Sequence, residues 1–179
     1  MDGDEEVSTT PAAPERWLRG AVPGIPPLLQ PVAHGLMQCR DEVELHVTGL
    51  SAERVWTAPP GAASIGFHVR HATGSLERLF TYARGEQLSA AQRAALAAES
   101  AADRSTGDGA TLAISFAAAI EQALDQLRTT PDAGVLEPRY VGRARLPSTV
   151  LGLLFHAAEH TQRHVGQMVT TIKLTASGS

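Results

Sequence analysis

With 179 residues the chain is long enough for one domain with a proper hydrophobic core. Its 15 Lys and Arg against 19 Asp and Glu give a formal charge of −4 and a pI near 5.9. The arginines are scattered, which argues against nucleic-acid binding as the main task. No stretch approaches the ~18 apolar residues of a membrane span. The N-terminus (Asp2, Asp4, Glu5, Glu6) lacks the basic-then-apolar order of a signal peptide, so the expected location is cytoplasmic. A lone cysteine, Cys39, excludes an intrachain disulfide and reads as helix packing before a reactive thiol.

Residues 1–15 are acidic and rich in Pro, Ala and Thr, and are expected to be poorly ordered. They belong to a flexible N-terminal segment, 1–24, ahead of a domain over 25–175. A first helix is predicted over 27–47, with Pro31 in its first turn and Leu29, Val32, Leu36, Val43 and Val47 as its apolar face. A loop through Trp56, Pro59, Pro60 and Gly61 leads to Ser64, a candidate N-cap for a second helix reaching about Arg84. Its stripe is Ile65, Val69, Ala72, Leu76 and Phe80. A short helix over 90–98 and a Ser/Thr/Gly/Asp break come next. Asp108 or Thr111 then opens a third long helix carrying Leu112, Phe116, Ile120, Leu124 and Leu127, ended by Pro131 and Gly134. Residues 135–146 read as an irregular or extended crossover. Pro147 and Ser148 start a fourth helix ending near Leu174. Four long amphipathic helices with no convincing strand ladder predict an all-α four-helix bundle with long crossover connections.

His156, His160 and His164 recur at four-residue spacing on the fourth helix, and His68 and His71 lie on the second. Residues four apart on a helix share a face, with Cβ atoms about 5–6 Å apart. Two such imidazoles can converge on one metal, which takes nitrogen ligands at about 2.0–2.1 Å. On the predicted stripe, which runs from Leu153 and Ala157 to Met168, His160 and His164 take places where a bundle expects Leu or Ile. A shared metal would satisfy both, whereas bare imidazoles there would lose hydration. Hydrogen bonds to polar groups on neighbouring helices are the plainer alternative. Each four-residue step rotates about 40°, so His156 sits about 80° from His164 and falls outside a shared site. Periodicity places His68 nearer the apolar face than His71 and favours it as the third ligand.

Two other metal motifs fit the sequence less well. His156-Ala-Ala-Glu159-His160 matches the HxxEH string of inverted zinc peptidases, but no Asp or Glu follows His160 to complete that ligand set. A ferritin-like di-iron centre needs Glu-x-x-His pairs, and none occurs. Three neutral nitrogens around one divalent ion is what remains.

The segments Ser64-Ile65-Gly66-Phe67-His68-Val69-Arg70-His71 and Phe155-His156-Ala157-Ala158-Glu159-His160-Thr161-Gln162-Arg163-His164 resemble the DinB-like superfamily. That superfamily comprises metal-binding four-helix bundles and includes thiol-dependent S-transferases. The resemblance extends over residues 25–175. It implies that the metal ligands are His71, His160 and His164, with His71 in place of His68. It further implies one divalent transition metal, Zn or Ni, and a low-molecular-weight thiol co-substrate transferred to an electrophilic small molecule. Metal-dependent hydrolysis and a non-catalytic metal-binding stress-response protein are the competing expectations, with a homodimer as the anticipated assembly. Glu159, Arg163 and Gln167 flank the ligands and are candidate supporting groups; ordinary surface roles serve as well for each.

Overall fold

The computed structural model describes residues 13–99 and 107–176; the expectation of disorder over 1–12, most of the break after residue 98, and the last three residues lie outside them. Four long helices dominate: α1 (Gln30–Val47), α3 (Ile65–Ala83), α5 (Gly109–Thr129) and α6 (Val150–Ala176). Two short helices, α2 (Ala52–Trp56) and α4 (Ala90–Ala98), sit in the connections. The protein is an all-α bundle with one small hairpin.

Local chemistry starts most of these helices where the sequence suggests. The Ser64 hydroxyl accepts from the Phe67 amide at 3.1 Å and opens α3. Asp108, rather than Thr111, opens α5 by accepting the Thr111 amide at 2.9 Å. Ser89 and Gln92 form a reciprocal capping box on α4. A 3-10 turn over Pro27–Leu29 leads into α1, where Pro31 occupies the first turn and loses no intrahelical bond. The apolar stripes of α1, α3 and α5 are buried as predicted. Leu29, Leu36, Ile65, Leu76, Phe116, Ile120, Leu127, Leu154 and Met168 are the largest side chains sealed in one continuous core. Burying each such side chain contributes about 1.5–3 kcal/mol.

The topology is up-down-down-up. The Gly109 amide donates to the Leu50 carbonyl at 3.0 Å, so α5 starts where α1 has just ended and runs back along it. The Gln126 side chain donates to the Phe80 carbonyl at 3.0 Å, placing the last turns of α5 and α3 at the same end. Helices α3 and α5 are therefore parallel. Helix α6 packs on both α1 and α3, as α5 does, leaving α1 and α3 on one diagonal and α5 and α6 on the other. Both diagonal crossings need long connections, as the crossover lengths had suggested.

Three local features differ from the sequence reading. Residues 52–56, expected as loop, form α2, capped by Ser51 accepting the Arg54 amide. The crossover folds as an antiparallel hairpin of β1 (Pro138–Val141) and β2 (Leu146–Thr149), pairing Tyr140 with Pro147. Proline tolerates this place because a two-stranded ribbon has a free edge for its missing N–H. Helix α6 consequently starts at Val150, and Thr149, not Ser148, accepts the Gly152 amide at 3.0 Å. The Val150 and Leu151 amides donate to the carbonyls of Glu137 and Val135, so the preceding loop supplies acceptors that an N-terminal turn lacks. Residues 13–24, within the segment read as a flexible lead-in, lie against α1: Arg16 makes a two-pronged pair with Asp41, each contact 2.6 Å.

The α1–α5 junction admits no side chain at position 109. A Cβ built on Gly109 overlaps the Val47 carbonyl oxygen and comes within 2.9 Å of the Leu50 oxygen, both main-chain atoms that cannot swing aside. Gly109→Ala is expected to destabilise the fold by about 1–3 kcal/mol, the range of overpacking. Urea unfolding with an unchanged slope reads this out; a midpoint equal to that of the parent protein would refute the close approach.

Candidate metal centre

Helices α3 and α6 run antiparallel, so three residues forward on α3 correspond to about one turn back on α6. His71 Nε2 lies 3.1 Å from His160 Nε2, and His68 Nδ1 lies 3.1 Å from His164 Nδ1, one turn along. Ring centroids of His71 and His160 are 4.4 and 4.7 Å from that of His164. One ring nitrogen from each of His71, His160 and His164 falls within 4.8 Å of the others, a group that could hold a metal ion.

These histidines are not on the core axis of α6, contrary to the reading of the stripe. That axis carries Leu154, Ala157, Thr161, Val165 and Met168, and the Thr161 hydroxyl is satisfied by the Ala157 carbonyl at 2.7 Å. His160 and His164 each precede a core residue by one position, about 100° round the helix, and stand half-buried on the flank facing α3. His68 is more deeply buried than His71, as periodicity indicated, yet it stands outside the three-nitrogen group and touches only its edge through His164.

His156 stands outside that group, with its ring centroid 5.5 Å from that of His160. Its Nδ1 is 2.6 Å from Glu159, whose other oxygen accepts from Arg163 at 2.7 Å, on the outer surface of α6. The HxxEH string therefore forms no shared site. Gln167 is exposed. Of the flanking groups, Glu159 and Arg163 are occupied with each other and with His156.

Two residues at the centre had no signal in the sequence. Glu99, just after α4, brings Oε2 to 2.9 Å from His71 Nδ1. Arg78, one turn beyond Gly74 on α3, holds both carboxylate oxygens, with its second contact at 3.3 Å. Nothing in linear spacing links residue 99 to residue 71; only the return of α4 along α3 joins them. A carboxylate can only accept, so His71 directs its Nδ1–H at Glu99 and Nε2 is the nitrogen left facing His160. Phe67 stacks on the same ring, with centroids 5.6 Å apart and planes 9° from parallel.

The electrostatics keep most of the cluster neutral. Burial, then the neighbouring His71, His160 and His68, push the His164 pKa down to about 4. Burial followed by His71 lowers His160 and His68 from the ordinary imidazole value. Near pH 7 these three rings are therefore neutral, each with one nitrogen able to offer a lone pair, the state a metal requires. Tetrahedral zinc sets its nitrogens about 3.3 Å apart, close to the shortest separation here. An all-imidazole donor set suits Zn, Ni and their neighbours. Cys39 is sealed in the core and, through burial and then Glu42, its thiol is pushed up to about 12. It cannot supply a thiolate.

In the metal-free protein, His68, His160 and His164 bind protons more weakly folded than unfolded. Between about pH 6.5 and 4 the unfolded chain then takes up more protons, so stability must fall with pH. Chemical denaturation of metal-free protein should show a loss from pH 7 to pH 5 that shrinks in a His164→Gln variant. Parallel profiles for the two proteins would contradict the shifted histidine.

No helix among the described residues is long and apolar enough to cross a membrane. Comparison with curated proteins gives no match. The family model described as the DinB superfamily matches residues 36–168, from α1 into the second half of α6, and spans all the clustered histidines. Covering well over half of the chain together with the bundle described above, this match shows that the protein belongs to the DinB superfamily.

Proposed function

We propose that His71, His160 and His164 bind one divalent transition ion, Zn or Ni, and that the site transfers a low-molecular-weight thiol to an electrophilic small molecule. The observation that carries this reading is the convergence of three imidazole nitrogens within 4.8 Å, with no thiolate or carboxylate among them. Three protein ligands leave a position open for a further donor. Bound there, a divalent ion acts as a Lewis acid and favours the ionised form of a thiol or water.

The residues around the cluster favour an exogenous thiol over hydrolysis. A hydrolase wants a free base near the attacking water. Glu159 is tied to His156 and Arg163, and Glu99 is tied to His71 and Arg78. Cys39 cannot serve as an internal thiol ligand. His71 retains a 24% exposed side chain, so a small molecule can reach the cluster without parting the helices. A non-catalytic metal-binding role would use the same three nitrogens, and turnover separates it from an enzyme.

Protein purified without a histidine tag should carry close to one divalent ion per chain by elemental analysis. His160→Ala should abolish stoichiometric loading, while His156→Ala leaves it nearly intact, since His156 pairs with Glu159 instead. Equal losses in both variants would overturn the ligand assignment.

The reaction is tested by screening small thiols against a panel of electrophiles, with cobalt-substituted protein reporting thiolate coordination in its absorption spectrum. At least one thiol should change the spectrum and support turnover that is lost in His71→Ala. If none perturbs cobalt and no rate exceeds the uncatalysed one, the transferase reading fails; ester or amide hydrolysis by the loaded protein would then put the hydrolase reading ahead.

A further inference from the structure

Helix α4 is held to the bundle in an unusual way: none of its residues is buried. Nine residues cannot sustain a helix in water unaided. Among the described residues, its side-chain bonds to α3 gather at its two ends. Gln92 donates to the Thr81 hydroxyl at 2.8 Å near the start. Beyond the last turn, Glu99 meets three α3 residues: His71, Arg78 and, through its carbonyl at 3.4 Å, Arg70. The Arg78 guanidinium is itself nine-tenths buried, and the Glu99 side chain is only 11% exposed. This is a desolvated ion pair aimed at one imidazole nitrogen. Its approach depends on Gly74, where a Cβ would stand 2.6 Å from Glu99 Oε1 and 2.8 Å from an Arg78 nitrogen.

We infer that Glu99, clamped by Arg78 over Gly74, is the positioning residue for His71, and that through it metal binding fastens α4 to the bundle. The inference rests on the metal reading above. A carboxylate on Nδ1–H fixes the tautomer that presents Nε2, and raises the basicity of that nitrogen. Coordination at Nε2 in turn makes Nδ1–H a stronger donor, so the ion and the end of α4 stabilise each other by the same factor. The distal helix therefore reports whether the centre is filled.

The test measures zinc affinity by chelator competition, and hydrogen exchange over residues 90–99 with and without zinc. Wild-type protein should bind one zinc with slower α4 exchange in its presence. Glu99→Ala should weaken zinc about 10–100-fold, the usual effect of removing such a partner, and abolish the zinc-dependent protection. Glu99→Gln keeps an acceptor oxygen and should lose less. Gly74→Ala leaves Glu99 in the chain but fills the space its carboxylate uses. Alanine also has the better helix propensity, so weaker zinc binding with undiminished thermal stability in this variant excludes a folding defect. Zinc affinity of Glu99→Ala within about twofold of wild type, or no protection of 90–99 by zinc, overturns the inference while leaving the ligand assignment standing. Failure of wild-type protein to bind zinc, or undiminished binding by His71→Ala, brings down the metal reading and this inference with it.

Discussion

The antiparallel register between α3 and α6 is the constraint on which the rest of the site depends. It sets His71 opposite His160 and His68 opposite His164, each pair at 3.1 Å. A slip of one residue on either helix would rotate its histidines about 100° and part both pairs. The register is fixed from outside the site. Leu154, Ala157, Val165 and Met168 dock on one side, and Ile65, Val69, Ala72 and Leu76 on the other. Burying four imidazoles on this seam costs hydration that aliphatic side chains would not lose. The fold does not require them there, which is why they read as a site and not as packing.

Within the cluster the histidines differ by what occupies their second nitrogen. His71 gives Nδ1 to Glu99, and His164 meets His68 through Nδ1. The donor set brings no negative charge of its own, and the charge of Glu99 is met by Arg78. A divalent ion held by three neutral imidazoles would keep its full charge, which favours an anionic further ligand. A thiol and a water must each lose a proton to meet that demand, and the thiol, with a reference pKa of about 8.5, does so far more readily. Charge balance and the isolation of Cys39 therefore point the same way.

Much of the fold was readable because its causes are local. The stripes of α1, α3 and α5 follow from 3.6-residue periodicity, and Ser64 and Asp108 act on amides three residues away. The hairpin was not, because Pro147-Ser148 suits a strand edge as well as a helix start. The carbonyls of Val135 and Glu137, which decide between them, are distant in sequence. Glu99 was invisible for the same reason. Periodicity correctly ranked His68 as the more buried of its pair, but burial and convergence with His160 and His164 are different properties. His71 lies at the seam with α6, and only the packing of two helices reveals that.

The displacement of His160 and His164 from the core axis has its own consequence. With Thr161 and Val165 on the axis, α6 closes its side of the core without His160 or His164. A cluster on the axis would be sealed behind four helices, and exchange of ligands would require the bundle to open. On the flank, the polar rings add little to core packing and lie close to solvent. Substitutions that alter the chemistry there need not cost the stability that holds α3 and α6 in register. The same separation explains how an exposed element such as α4 can reach the centre at all: Glu99 has only to cross the face of α3 at Gly74, not to penetrate the core.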